Sequence, residues 1–266
     1  MVLAKLWACV LKDARIDASY RVSFVIDAID GLIMIAVYAV LAGLLGTRAL
    51  DGFPPMGFLL VGVAANGALM TALVCFAQAV RGVQAAGAIK AVLTTPTSPL
   101  AVVLYSSVYP FLRAGLDLGM WLVAAAVLGA ELTGLQGGGI GPSLVVFVVA
   151  AIAMAGFGFA AAAFAVVFKR GDPVVWLFGA ATMLLSGVLY PTSSLPPILG
   201  TLAQWLPTTH ALNAMRATLL GGAGIADVAS SLWVLIVFGF IGVPAGLMTL
   251  AGAIQYARRE GTLGHV

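Results

Sequence analysis

Asp27 and Asp30 lie three residues apart in one long apolar stretch, and Arg113 and Asp117 lie four apart in another. At helical pitch each pair shares a face. Charged side chains in such surroundings are costly, so they need a role. Two roles fit. The four groups can line a polar path or relay a proton. Alternatively, Arg113 and Asp117 form a self-satisfied ion pair, extended to Asp27 or Asp30, that fixes helix packing. Asp27 and Asp30 alone fit headgroup-level exposure equally well. Asn66, Gln78 and Asn213 can each face a cavity or hydrogen-bond to a neighbouring helix. Ser186 and His210 are the types of a nucleophile and its base. No G-x-S-x-G elbow surrounds Ser186, however, and no acidic orienter is evident, which argues against an intramembrane hydrolase. Cys9 and Cys75 read as inert thiols rather than as a disulfide or metal set.

The elements that must position these groups are membrane helices. The 266 residues are 62% hydrophobic and only 9% charged, with a mean hydropathy of +1.11, so the bilayer is the solvent. The expectation is an all-α polytopic fold with six spans, at 23–46, 55–80, 100–130, 143–168, 174–190 and 229–255. Lys12, Asp13, Arg15 and Asp17 interrupt any apolar core early, so a cleavable signal peptide is not expected. Residues 1–22 read instead as an interfacial amphipathic helix, with Trp7 and Lys5 suited to the headgroup layer. Spans one to five fill 23–190, an outer hairpin 191–222, span six 229–255 and a tail 256–266, all in one transmembrane domain. The third span is too long for a perpendicular crossing by about ten residues. Pro110 is expected to kink it just before Arg113. Gly115-xxx-Gly119 and Gly242-xxx-Gly246 allow close helix contact and offer a dimer face.

Residues 185–222 hold two short amphipathic pieces, 196–206 and 208–220, split by Pro207 and closed by Gly221-Gly222. Neither reaches across roughly 30 Å of hydrocarbon at about 1.5 Å per residue, so they form a re-entrant hairpin. With the N-terminus inside, Lys5, Lys12, Arg15, Arg21, Arg81, Lys90, Lys169, Arg170, Arg258 and Arg259 are cytoplasmic. Only Arg48 and Arg216 are outside, a strong positive-inside bias. The net charge of +3 therefore reports topology and contact with anionic lipid, and no basic face for nucleic acid exists. In the loop 81–99, residues 84–94 can form a short cytoplasmic helix that Thr95-Pro96 stops. The apolar positions Val83, Ile89, Val92 and Leu93 call for a partner.

Together these segments resemble the membrane subunit of a type-2 ABC exporter, the class of antibiotic, lipid and polysaccharide export permeases. The late signature is carried by Ser186-Gly187-Val188-Leu189-Tyr190-Pro191, Leu195-Pro196, Leu206-Pro207, Thr209-His210-Ala211, Met215-Arg216 and Gly221-Gly222. The run from Lys90 through Thr95-Pro96 to Ser98-Pro99 is similar to the segment after the family's coupling helix. One departure stands out: 85–88 reads Ala-Ala-Gly-Ala, without the family's glutamate and Gly-Thr pair.

The resemblance implies a homodimer or heterodimer of permease chains on two ATP-binding cassette subunits in a bacterial plasma membrane, with both termini cytoplasmic. The chain is then not an enzyme and carries no cofactor. It lacks a G-x-x-x-x-G-K-[ST] loop, so ATP and Mg2+ belong to the partner. Arg81, Gln84, Gly87, Lys90, Leu93 and Thr95, with Lys5 and Trp7, would take the push of the ATPase. Tyr190, Pro191, Leu195, Pro196, Trp205, Pro207, His210 and Arg216 would form the outer gate. A path between spans one, two and five would carry a hydrophobic or amphipathic cargo outward. The alternative is an ion-coupled secondary transporter using the intramembrane Asp and Arg residues, but no second broken helix or inverted repeat supports it.

Overall fold

The computed structural model describes residues 2–19, 21–46, 49–85, 99–168 and 173–259. Helix α1 (Val2–Ser19) is followed by α2 (Arg21–Leu45), which ends as Gly46 turns left-handed at φ 67°. Asp51 and Gly52, both at positive φ, make the tight reversal inside the small Leu50–Phe53 bridge. Then come α3 (Pro55–Ala85), α4 (Pro99–Ser106), α5 (Val108–Val127), the single turn α6 (Thr133–Gln136), α7 (Ile140–Phe168) and α8 (Pro173–Leu185). A 3-10 turn at Thr192–Ser194 leads to α9 (Pro197–Ala203) and α10 (Pro207–Leu219), each opened by a proline whose missing N–H costs nothing there. Helix α11 (Ala229–Arg259) closes the described chain.

Four helical stretches are long and apolar enough to cross a membrane: Pro55–Gly82, Val103–Val127, Ile140–Phe168 and Ala229–Ala257. They match expected spans two, three, four and six. At spans one and five the uninterrupted apolar helices are shorter, Ile29–Leu45 and Pro173–Leu185. The fifth helix stops at Leu185, not 190, because Gly187 takes φ 74° and starts a turn. The third is interrupted at Ser107. Pro110 has no N–H for the carbonyl four residues earlier, and the Ser107 hydroxyl bonds back to Val103 O at 2.8 Å. The interruption thus falls a turn earlier than just before Arg113.

Helices α3 and α7 bury most of their length and form the centre. Residues 140–168 are apolar all round, the pattern of a helix enclosed by others. Small residues set how closely the others approach. A Cβ on Gly156 would stand 2.5 Å from the backbone of Gly242, and one on Gly246 would strike the Gly156 carbonyl. The Gly242/Gly246 pair is therefore spent within the chain, seating α11 on α7, and is no dimer face. A Cβ on Gly119 meets nothing, so its motif makes no close packing here.

Candidate functional site

A cavity of about 570 Å³ opens between α2, α3 and α5. Its floor is buried and apolar (Ile35, Ala64, Ala68, Ala114, Leu118), and its rim is exposed at Asp30, Leu32 and Met120. Arg113 and Asp117 line it from α5. Three of the charged residues singled out by spacing thus meet in one cleft. The cleft lies between spans one, two and three, whereas the expected path used spans one, two and five.

Arg113 sits in a wider network than its own helix provides. Its Nε stands 3.9 Å from Asp117 Oδ2, one turn along α5. Its Nη1 also pairs with Asp17 Oδ2 from α1, and the Tyr109 hydroxyl donates to the same oxygen at 2.7 Å. The ion pair extends to Asp17. The expected extension to Asp27 falls outside the described side chains, and Asp30 shares the cleft. Sequence spacing carried no signal for Asp17, because the two residues are ninety-six positions apart.

Asn66 lies away from this cleft. It shares a helical row with Gly62 and Met70, which face Arg216 and Thr182. Its Oδ1 is buried without a hydrogen-bond partner among the described residues. Gln78 and Asn213 are exposed.

The second polar cluster is built on the hairpin. Arg216 of α10 is only 3% exposed. It donates from Nη1 to Gly187 O at 2.8 Å, from Nη2 to Val188 O at 2.9 Å and from Nε to Phe58 O at 3.2 Å. Its guanidinium also lies over the Phe58 ring, 3.5 Å from the centroid. Burial pulls its pKa down to about 9 against the pull of Asp51, so it stays a cation at neutral pH. Sequence reading placed Arg216 on the hairpin but carried no signal for its burial. It is an internal staple across three segments.

The other gate residues are tied locally. The Tyr190 hydroxyl donates to Leu184 O, Pro191 is buried ahead of the 3-10 turn, and Leu195-Pro196 lead into α9. Pro207 is buried at the start of α10. His210 Nε2–H donates to Gln204 O at 2.9 Å, since a carbonyl can only accept. Ser186 is hydrogen-bonded to Thr208. Ser186 and His210 thus hold different partners and do not form a nucleophile–base pair. Trp205, at the turn between α9 and α10, is 72% exposed.

The family model for ABC-2 type transporters matches residues 4–220, which take in α1, the cleft and the whole hairpin through α10. The chain belongs to the ABC-2 type transporter family. It is a membrane component of an ABC transporter, a permease rather than a catalytic chain. A search among curated proteins finds no match. Within this ABC-2 permease, α3 runs on through Ala85, so Arg81 and Gln84 lie on its last turns instead of Gln84 opening a separate helix. Arg81 and Trp7 are exposed. Gly87, Lys90, Leu93 and Thr95 lie outside the described residues, as do the side chains of Lys5, Gln84 and Asp27.

Proposed function

We propose that this ABC-2 permease works as one half of a permease dimer on two ATP-binding subunits, which hold ATP and Mg2+, in a bacterial plasma membrane. The complex exports a hydrophobic or amphipathic molecule taken from the cytoplasm or the inner leaflet. The observation that carries this reading is the cleft between α2, α3 and α5: apolar, open at its rim, with charge at one end. Six crossings with both termini inside accommodate the helices. Four cross on their own length, α2 crosses with Asp27 and Asp30 near its inner end, and α8 reaches part-way and hands over to the hairpin. The hairpin closes the outer end as a gate.

Closure of the ATPase pair presses on the segment 84–94 and on α1. Because Asp17 of α1 holds Arg113 of the cleft, a shift of α1 reaches the cleft directly. The permease chains rock between two packed arrangements, inward-open and outward-open. Two measurements test this. An ATP-binding subunit should co-purify with the chain in mild detergent. Substituting Lys90 or Leu93 should uncouple ATP hydrolysis from transport while the chain still inserts. Unchanged substrate-stimulated hydrolysis and export in both variants, or transport driven by an ion gradient without ATP, would defeat the proposal.

A further inference from the structure

Helices α2, α3 and α5 alternate in direction, as the ring contact between Phe76 of α3 and Phe111 near the start of α5 shows for the second pair. The polar lining therefore gathers at one end of the cleft. Asp30 comes from the first half of α2, Thr71 from the second half of α3, and Arg113 and Asp117 from the first half of α5. The other end is apolar, with Val63, Met120, Trp121 and Ala124. Along α5 the lining runs from Arg113 to Ala124, about 16 Å at the helical rise, enough for a head and a short apolar body. The polar end is the end at which α1 packs on α4 and α5.

The sign of that end follows from its charges. Asp30 and Asp117 line it against Arg113, and Asp17 reaches in from α1 to share the Arg113 charge. Among the described residues, α3 brings no charged group to the lining, only the Thr71 hydroxyl. An anionic head would have to displace Asp17 and then face two further carboxylates. A cationic head meets the Asp30 carboxylate at the rim and Asp117 beside Arg113, and leaves Asp17 on Arg113. We infer that the cleft binds lipophilic cations, their charged group at the end lined by Asp30 and Asp117 and their apolar body toward Trp121.

The inference names the substrate class of the proposed permease and rests on that reading. Its test uses the full chain, with any subunit that accompanies it, in detergent without ATP. Equilibrium binding is compared for tetraphenylphosphonium and tetraphenylborate, ions of matched shape and opposite charge. The cation should bind at least about tenfold tighter, and Asp30→Asn should weaken it about tenfold. Gly67 lines the cleft and a Cβ there meets nothing within 4 Å, so Gly67→Phe should put its ring into the space and abolish binding, its melting temperature being the check that the fold is kept. Asp30 is at the exposed rim, so its variant remains informative even where Asp117→Asn fails to fold. Equal or tighter binding of the borate, or phosphonium affinity within about twofold of wild type in Asp30→Asn, would overturn the inference. Co-purification of the ATPase is read separately, so cation binding can fail while the permease reading stands.

Discussion

Arg216 Nη1 and the carbonyl of Gly187 lie 2.8 Å apart, joining the last turn of α10 to the turn that ends α8. The same guanidinium holds Val188 and Phe58, so one side chain fixes the hairpin to both α8 and α3. Planar geometry with several N–H donors makes this an arginine site that lysine cannot reproduce.

Replacing Arg216 with alanine leaves the carbonyls of Phe58, Gly187 and Val188 buried without this donor. The expected loss is on the order of 3 kcal/mol, seen as a lower melting temperature and loss of the monodisperse peak in detergent. Arg216→Lys should fall between alanine and wild type. A lysine variant melting with wild type would show that the charge alone matters and the fork geometry does not.

The α7–α11 crossing gives a paired glycine test. Gly156→Ala drives a methyl into the Gly242 backbone and should destabilise the fold by about 1–3 kcal/mol. Gly119→Ala, where a Cβ meets open space, should be neutral or gain up to about 1 kcal/mol in helix propensity. Thermal melts of the two variants side by side decide it. Equal melting points would remove the close crossing as the reason for Gly156.

Asp17 and Arg113 are each about one-third exposed, so solvent screens their pair. A double-mutant cycle with Asp17→Asn and Arg113→Gln should give a coupling of roughly 0.5–1 kcal/mol. Its functional readout should be larger than its stability readout, because the pair links α1 to the cleft. Transport that is insensitive to both substitutions would reduce the pair to a local packing contact.

Cys9 is partly exposed on α1, and Cys75 is buried in α3. An impermeant maleimide should therefore label Cys9, not Cys75, in inside-out vesicles and neither in right-side-out ones. In a Cys9→Ala background, Trp205→Cys should show the reverse sidedness. Labelling of both positions from one face would rule out the proposed orientation.

Much of the fold was legible because length and hydropathy act locally. Spans two, three, four and six, helix α1 and the two hairpin helices follow from runs of apolar residues, prolines and glycines, read without knowing any neighbour. The interrupted third span was legible too, through Pro110. The cleft was legible in part: Asp30, Arg113 and Asp117 stood out as charges in apolar stretches. Their companion Asp17 did not, since a charge on an amphipathic interfacial helix is ordinary until the helix is docked. The burial of Arg216 was not legible for a similar reason. Between two spans an arginine looks like a loop charge, and only the carbonyls brought to it from Phe58, Gly187 and Val188 make its burial affordable. Gly242 and Gly246 were seen as a contact motif, yet nothing local states which helix they meet.

By itself the sequence determined the solvent and the family: a chain this apolar must satisfy its backbone within helices, and its motifs match the ABC-2 permeases over residues 4–220. Tertiary structure alone decided which charges share a space. It brought Asp17 to Arg113, turned Asn66 away from the cleft, buried Arg216, and set the cleft among spans one, two and three. The physical reason is that helix formation depends on residues a few positions apart, whereas the pairing of charges depends on how whole helices cross. Those crossings are set here by small residues such as Gly156, whose contribution is the absence of a side chain.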